Sequence, residues 1–387
     1  MHKIAIETDI QELGNIIDSY LGSEVKMNYA IKIVGHPGIG KSSIVKEIAE
    51  KKNFFFIDTR LAFKENIDLG GYPVPDHENK KMIYYRPKFI PPEEIPAGYK
   101  GVLWFLDEAN RAHPTVIQTL FQIITERRCG DHLLPENTSI VLAGNLGEED
   151  STSITDFDDA ALDGRLAIFH LKPRPEDWLP WACRNNVHPS IIEYITMYPE
   201  RLWDQIHINP NPRGWHQVSM AISNAYNLKT SAELKYSLML GKKNTLEKVI
   251  AALVGEIAAH DFVSQIISPR EISTEDIISG DMEKLSLVEQ KNLPAEDILW
   301  AISGAISNLS IISENKKGDL SGKNLEVLKN ILCFISKTRA DTQISFFQIF
   351  LRECGALTKV PQAISLIEDE VLKIEVSEKF TKVFEED

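Results

Sequence analysis

The stretch Gly35-His36-Pro37-Gly38-Ile39-Gly40-Lys41-Ser42 fits the pattern G-x-x-x-x-G-K-[ST] without a gap. An apolar run at residues 29–34 precedes it and predicts a buried strand, and residues 43–49 follow with apolar positions at helical spacing. Strand, glycine loop and helix are the context in which this pattern cradles phosphate, because the loop N–H groups point inward and the helix dipole adds positive charge. The pattern therefore predicts an α/β fold with a nucleotide site at this loop.

Residue types in and after this stretch predict the chemistry of the site. The eight loop residues and Ser43 are the predicted nucleotide contacts, with Lys41 reaching the β- and γ-phosphates and the Ser42 hydroxyl bound to Mg²⁺. A second apolar run, residues 102–106, ends in Asp107-Glu108. A carboxylate at that position can hold Mg²⁺ through its water shell, and its neighbour can take a proton from the attacking water. The predicted cofactors are ATP and Mg²⁺, and a paired glutamate favours a hydrolase over a kinase.

Three further polar residues are candidate catalytic groups. Asn145 follows the apolar run 139–143, where a neutral donor would orient water and sense the γ-phosphate. Arg165 precedes the run 167–171, and Arg213 lies at the start of a predicted lid helix. A guanidinium beside the γ-phosphate would stabilise the charge of the transition state. A turn residue at Asn145 and surface salt bridges at the two arginines are the alternatives.

Composition limits the class of protein. The chain has 387 residues, and 42 Lys and Arg against 56 Asp and Glu give a net charge of −14. This length allows two or three domains, and the acidic balance disfavours a protein that coats nucleic acid. No apolar run approaches the roughly 18 residues of a membrane helix, and an acid comes too early for a signal peptide. Scattered cysteines at 129, 183, 333 and 354 predict free thiols in a reducing compartment. We expect a soluble cytoplasmic protein that makes no membrane contact.

The order of apolar runs predicts the architecture. Five short runs, residues 29–34, 54–58, 102–106, 139–143 and 167–171, alternate with helical patterns and predict a five-stranded parallel sheet covered on both faces. We expect a core at residues 1–172, an α-helical lid at 173–267 and an α-helical C-terminal extension at 268–387. The polar stretch 268–296 predicts a linker or loosely packed surface. Helices are predicted at residues 9–21, 114–127, 175–184, 189–197, 213–226, 246–266, 298–309, 325–336 and 344–351.

An inserted hairpin is predicted at about residues 68–88, inside a proline-rich stretch that no long helix can cross. Its Tyr72, Tyr84 and Tyr85 are candidate substrate contacts. The alternative is that these rings cover the core of their own domain. Nearby Lys80 and Lys81 leave open a single-stranded nucleic acid stacked on the tyrosines.

Taken together, the motifs resemble those of AAA+ ATPases, and most closely the MoxR branch. The resemblance covers about residues 25–265 and is carried by residues 35–42, by Phe105-Leu106-Asp107-Glu108-Ala109-Asn110-Arg111-Ala112, by Ala143-Gly144-Asn145, by Leu162-Asp163-Gly164-Arg165 and by Asn211-Pro212-Arg213-Gly214-Trp215. The segment Asp68-Leu69-Gly70-Gly71-Tyr72-Pro73, before the hairpin, is also similar.

This resemblance implies a homo-oligomeric ring, usually a hexamer, with nucleotide at each subunit interface. Arg165 would be the finger that reaches the neighbour's γ-phosphate, and Arg213 the sensor 2 arginine of the lid. In many members the arginine follows the aspartate directly, whereas Gly164 intervenes here, so Arg111, Arg127 and Arg128 are alternatives for the finger.

The same resemblance implies Mg²⁺·ATP-driven, chaperone-like remodelling of a protein client, with a partner that bears a von Willebrand factor A domain. Two alternatives remain: a nucleic-acid motor or loader, and a nucleotide-gated assembly scaffold with negligible turnover. The acidic balance disfavours the motor, and an intact Glu108 disfavours the scaffold.

Overall fold

The computed structural model describes residues 5–23, 27–147, 162, 164–204, 207, 209–290, 293–314, 322–338, 343 and 359–385. The chain divides into two compact units: the first reaches Arg174, and the second comprises Pro175–Asp204 and everything from Asn209 onward. None of the helices in the described ranges is both long enough and apolar enough to cross a membrane.

All ten described strands belong to the first unit. They are β1 (Ile6–Thr8), β2 (Ala30–Val34), β3 (Phe54–Arg60), β4 (Tyr72–Asp76), β5 (Lys81–Tyr85), β6 (Gly101–Asp107), β7 (Arg128–Cys129), β8 (His132–Leu133), β9 (Thr138–Gly144) and β10 (Leu166–Leu171). Six of them form one parallel sheet in the order β1-β10-β2-β9-β6-β3. The other four form two separate antiparallel hairpins, β4–β5 and β7–β8.

The prediction of a five-stranded sheet is corrected to six strands. The additional strand, β1, pairs with β10 at the edge of the sheet. It has three residues, and only Thr8 is buried, whereas Ile6 and Glu7 are exposed. Such a short edge strand needs no apolar run, so the sequence carried no signal for it. The other five strands lie at the predicted runs.

The sheet separates two apolar layers. Along β6, Leu103 and Phe105 pack on one face, while Trp104 and Leu106 pack on the other, because successive side chains of a strand point in opposite directions. Both faces of a parallel sheet are covered in this way, and its strands are continuously apolar. Parallel strands end at one common edge, so the residues after β2, β6 and β9 lie together.

In the described part of the first unit, four α-helices flank this sheet: α1 (Ile10–Leu21), α2 (Lys41–Lys52), α3 (Asn66–Gly70) and α4 (Pro114–Phe121). A capping box begins α1, where the Asp9 carboxylate accepts from the Glu12 N–H at 2.8 Å. A π-helical segment, Gln122–Glu126, continues α4 and ends at Arg127, whose φ of 57° is left-handed. The predicted helix over residues 114–127 is therefore present with a wider last turn.

The second unit is helical throughout its described residues. Its α-helices are α5 (Pro175–Arg184), α6 (Pro189–Met197), α7 (Pro212–Met220), α8 (Ser231–Ser237), α9 (Lys243–Val254), α10 (Glu256–Ile267), α11 (Thr274–Ser279), α12 (Met282–Glu289), α13 (Ala295–Glu314), α14 (Lys323–Ser336), α15 (Val360–Ser365) and α16 (Glu370–Glu385). One hydrophobic core joins side chains from α5 through α16. The boundary between a lid and a C-terminal extension stays a prediction.

Two predictions within this unit are wrong. Residues 268–296 are not a loose linker, because α11 and α12 bury Ile277, Leu285 and Val288 in the common core. The helix predicted over residues 246–266 is two helices, because Gly255 between them has a φ of 90° that an α-helix does not allow. The predicted helix at 344–351 lies outside the described residues. Cys129, Cys183 and Cys333 are buried and form no disulfide among the described residues, as expected, and Cys354 lies outside the described residues.

Candidate nucleotide-binding and hydrolysis site

The loop between β2 and α2 has the geometry of a phosphate cradle. Gly40 caps α2 with a φ of 101°, a backbone conformation that strongly favours glycine. A Cβ at Gly35 would lie 2.8 Å from the carbonyl oxygen of Leu171, so a side chain there would collide with β10. Ile39 packs in the core and anchors the loop. The loop and the first turn of α2 therefore have the backbone conformation in which N–H groups can bind an anion.

Lys41 begins α2 and its side chain is buried. Its ammonium donates to the carbonyl oxygens of Gly35 at 2.6 Å and His36 at 2.9 Å, and to Oδ1 of Asn145 at 3.2 Å. An ammonium only donates, so the oxygen of the Asn145 amide must face Lys41 and its NH₂ group is the donor end. The predicted phosphate-binding lysine and the predicted sensor asparagine are therefore in direct contact.

Ser42, in the first turn of α2, lies beside Asp107 at the end of β6. The Ser42 hydroxyl donates to Oδ2 of Asp107 at 3.3 Å. Mg²⁺ at nucleotide sites is held by few protein oxygens together with phosphate oxygens and water, so this pair fits the ion. Burial, and then the negative charge of Asp107, raise the pKa of nearby Asp58. A cation at Asp107 would relieve this repulsion.

Glu108 is held in an unusual conformation. Its φ of 54° and ψ of 35° are left-handed, which is uncommon for a residue with a side chain and costs free energy. Oε2 is buried and has no hydrogen-bond partner among the described residues, while Oε1 lies 3.8 Å from Nη1 of Arg111. Buried carboxylate oxygens are normally satisfied, so an unpaired one beside Asp107 is available to accept a proton from water.

Asn110 lies in the motif that follows Glu108, but no role was predicted for it from sequence. Its Nδ2 donates to the carbonyl oxygen of Asn145 at 2.6 Å, and the N–H of Asn145 donates to its Oδ1 at 3.1 Å. The contact joins residues that are far apart in sequence and follow two different strands. The sequence does contain the motif Asn110-Arg111-Ala112 directly after Glu108. The motif does not indicate which residue the Asn110 side chain contacts.

Arg165 is not part of this cluster. It lies directly before β10, its carbonyl oxygen accepts from the N–H of Ala30 at 3.0 Å, and its guanidinium lies 5.7 Å from the ring centroid of Phe121. This is the amino end of the sheet, whereas the phosphate loop follows the carboxyl end of β2. A five-residue strand at about 3.3 Å per residue separates the two ends by roughly 16 Å.

Arg213 belongs to the second unit, in the first turn of α7. The residues around it support the helix itself, since Asn211 caps it by accepting from the N–H of Gly214 at 2.9 Å, and Trp215 is fully buried. Gly214 allows close packing, because a Cβ there would lie 2.8 Å from the Leu253 carbonyl oxygen. Arg213 itself is exposed at the positive end of the helix dipole, where a cation is unfavourable. Its predicted role as a lid arginine stays a prediction.

The alternative finger arginines differ in exposure. Arg127 is buried and donates from Nη2 to the carbonyl oxygen of Thr138, so it cannot reach a neighbouring subunit. Arg128 is half-buried, and its Nε is buried without a hydrogen-bond partner in the described part of the chain. Arg111 is exposed beside Glu108.

The predicted hairpin is present as β4 and β5, which pair from Tyr72 with Tyr85 to Asp76 with Lys81. Tyr72, Tyr84 and Tyr85 are 60, 42 and 63% exposed, so they do not cover the core of the first unit. Arg86 fastens the base of the hairpin, since its guanidinium donates to the carbonyl oxygens of Pro91 at 2.6 Å and Leu133 at 3.1 Å.

Comparisons with known proteins find similarity to solved structures but no match in sequence. No family model matches this sequence, and a search of curated proteins found no match. Among solved structures, the chain is similar to a protein from Cytophaga hutchinsonii ATCC 33406 that is described as a "putative ATPase". The two are 12% identical, the match covers 78% of this chain and 75% of that chain, and the TM-score is 0.31. A match of this size carries no inference about what this chain does.

Proposed function

We propose that this chain binds ATP with Mg²⁺ and hydrolyses the bond to the γ-phosphate. The loop N–H groups and Lys41 would hold the phosphates, and Ser42 and Asp107 would hold the ion. Bound Mg²⁺ would neutralise charge on the phosphate oxygens. Glu108 would accept the proton of the attacking water at Oε2, and the NH₂ group of Asn145 would orient that water.

One observation carries this proposal. Lys41 and Ser42, in the first turn of α2, donate to Asn145 after β9 and to Asp107 at the end of β6. Glu108 follows Asp107, and its Oε2 has no hydrogen-bond partner among the described residues. A buried lysine or an aspartate at the end of a strand, taken alone, can be explained by its contribution to the stability of the fold. Such a contribution does not explain a left-handed Glu108 whose Oε2 is buried without a hydrogen-bond partner among the described residues, while its Oε1 faces Arg111.

We further propose a ring of MoxR type in which Arg165 completes the site of the neighbouring subunit. The support is its position at the amino end of β10, which is too far from the loop of its own chain. A guanidinium supplied from another subunit stabilises the charge of phosphoryl transfer, and such a group is worth about 10³-fold or more in rate.

Mixing two inactive variants tests both proposals. Wild-type protein should release phosphate from Mg²⁺·ATP, whereas Lys41→Ala and Arg165→Ala chains should each be nearly inactive. A randomly mixed ring should recover about a quarter of wild-type turnover, because an intact loop meets an intact finger at one interface in four. Arg128→Ala is assayed alongside as a competing finger candidate, a half-buried arginine of the same unit, and it should keep wild-type turnover if Arg165 is the finger.

Two results would count against this account. A wild-type chain without Mg²⁺-dependent phosphate release would exclude the ATPase. Mixtures that contain both chains by native mass spectrometry but recover no turnover would exclude Arg165, and exposed Arg111 would be the next candidate.

The proposed client is a protein chain, remodelled through the β4–β5 hairpin, and a partner with a von Willebrand factor A domain is proposed from the family resemblance. The hairpin exposes three tyrosines and Met82 on a two-stranded ribbon, which suits extended polypeptide without sequence preference. Single-stranded nucleic acid is the second candidate, because Lys80 and Lys81 lie at the tip. The guanidinium of Arg86 is already used by two carbonyl groups, which favours the protein client.

A further inference from the structure

The side chain of Asn110 makes two hydrogen bonds to the main chain of a single residue, Asn145. One joins its Nδ2 to the Asn145 carbonyl oxygen at 2.6 Å, and the other joins its Oδ1 to the Asn145 N–H at 3.1 Å. Asn110 lies in the helical turn Ala109–Arg111 directly after Glu108, and Asn145 directly follows β9. One amide group therefore links the ends of β6 and β9.

This link has only one orientation. A backbone N–H can only donate and a carbonyl oxygen can only accept, so the Asn110 amide cannot be turned over. Aspartate in its place would keep the acceptor, lose the donor and bring a charged oxygen against the carbonyl group. Alanine would leave both backbone groups of Asn145 without this partner. Asparagine is thus the side chain that matches both groups at this distance.

Gly144 supplies the space for the link. A Cβ at this position would lie 2.7 Å from Oδ1 and 2.8 Å from Cγ of Asn110, both closer than real Cβ atoms approach. The φ of Gly144 is outside the left-handed region, so alanine would suit the backbone there. Gly144→Ala would therefore act chiefly by displacing Asn110, which provides a second way to break the same contact.

We propose that Asn110 is a positioning residue that sets Asn145 relative to Lys41 and Glu108. Asn145 also accepts from Lys41 through Oδ1 at 3.2 Å, so its side chain can present its NH₂ group correctly only if its main chain is fixed. This inference rests on the proposed hydrolysis. Both hydrogen bonds of the Asn110 amide go to Asn145 and not to the phosphate loop, so its loss should slow turnover more than it weakens ATP binding.

Steady-state kinetics of matched variants test the inference. Asn110→Ala and Gly144→Ala should each lower kcat by about 10- to 100-fold, the effect of a small displacement at a reacting centre, with KM and the Kd for ATP changed less than about threefold. The Asn110→Ala/Gly144→Ala double variant should be no slower than Asn110→Ala, because the contact is already lost. Asn137→Ala is the control: it removes an asparagine donor to the Lys100 carbonyl oxygen, at the amino end of the sheet, and should leave kcat unchanged.

Hydrogen exchange of the Asn145 amide, followed by NMR, provides a readout that does not depend on turnover. Exchange should be faster in Asn110→Ala than in wild type or Asn137→Ala. Unchanged exchange, unchanged kcat, or ATP affinity lost in proportion to kcat would each overturn the inference. A wild-type chain that protects this amide yet never hydrolyses ATP would contradict the proposed function instead, and would reduce Asn110 to a structural link.

Discussion

At the scale of single residues, the second unit contains a fully buried carboxyl group. Glu193 on α6 is fully buried, with Ser231 Oγ 2.9 Å from both carboxyl oxygens and Thr274 Oγ1 3.3 Å from Oε1. A Cβ at Gly304 would collide with Oε1, so α13 approaches the group closely. Burial raises the pKa of Glu193 to about 7, against the lowering effect of the two hydroxyl groups.

This pKa predicts a falling stability of the second unit as pH rises. The folded state holds the Glu193 proton more tightly than the unfolded state, whose pKa is 4.5, so its contribution is complete below pH 4.5 and is lost as pH rises through about 7. Glutamine does not titrate, so Glu193→Gln should remove this loss. The free energy of unfolding of the variant, relative to that of wild type, should rise by about 2 to 3 kcal/mol from pH 5 to pH 8. Urea unfolding at several pH values measures it, with exposed Glu378→Gln as the control.

A difference between Glu193→Gln and wild type that does not change with pH would contradict this prediction. It would mean that the carboxyl group stays in one protonation state over the whole range, or that water reaches it.

Site residues that belong to a continuous sequence motif could be predicted from the sequence. A site residue that is defined by its contact with a distant residue could not. The spacing of Gly35, Gly40 and Lys41 requires a strand, a loop and a helix, and this local geometry is present. The partner of Asn110 is 35 residues away, and it becomes its neighbour only because β9 lies beside β6 in the sheet. No periodicity encodes such a pairing.

At the scale of elements, the β4–β5 hairpin is unusual because it exposes apolar side chains on both faces. Tyr72 and Tyr85 lie on one face, and Tyr84 and Met82 on the other, since residues alternate along each strand. A two-stranded ribbon is only marginally stable alone. Two hydrogen bonds stabilise the base of this hairpin. The Arg86 guanidinium donates to the Leu133 carbonyl oxygen, and the Cys129 thiol donates to the Leu69 carbonyl oxygen at 3.1 Å.

Removing two of these rings should abolish client binding without unfolding the protein. Tyr84→Ala/Tyr85→Ala is expected to keep the wild-type melting temperature within about 2 °C, because exposed side chains contribute little to stability. It should lose binding to a fluorescently labelled unfolded protein, measured by anisotropy with ATP present. Tyr236→Ala, a similarly exposed tyrosine of the second unit, is the control.

The outcome also separates the two client classes. Salt-sensitive binding of oligo-dT that is lost in the variant would favour the nucleic-acid motor. A large drop in melting temperature would show that the rings support the fold.

The boundaries of strands and helices were predicted correctly where the sequence has one strong local feature, such as an apolar run or a proline at the start of a helix. The apolar strands of the sheet and the helices that begin with proline, such as α5 and α6, lie where predicted. Strand β1 was missed because it is a strand only by its backbone pairing with β10, and it lacks the buried apolar residues on which the prediction relied. The helices α11 and α12 were missed because their few buried residues lie among acids, and their first turns are capped by Ser273 and Asp281.

At the scale of the whole molecule, the sequence predicted the α/β sheet and the helical remainder but did not predict how the helices share a core. The second unit buries side chains from α5 to α16 together, across the boundary expected near residue 267. Contacts between distant helices depend on tertiary packing, which an amphipathic pattern does not specify. The ring and its client stay proposals, and the role of Arg213 stays a prediction from the sequence.

The central claim is that one site binds ATP through Lys41 and hydrolyses it through Glu108. Binding of Mg²⁺·ATP and single-turnover hydrolysis, measured on the same samples of Lys41→Ala and Glu108→Gln, test it most directly. Lys41→Ala should lose at least about tenfold in ATP affinity, because a charge-assisted phosphate contact is removed. Glu108→Gln should bind ATP like wild type and hydrolyse it at least about 100-fold more slowly, because only the proton acceptor is missing. Equal losses of affinity in both variants, or full hydrolysis by Glu108→Gln, would contradict the account.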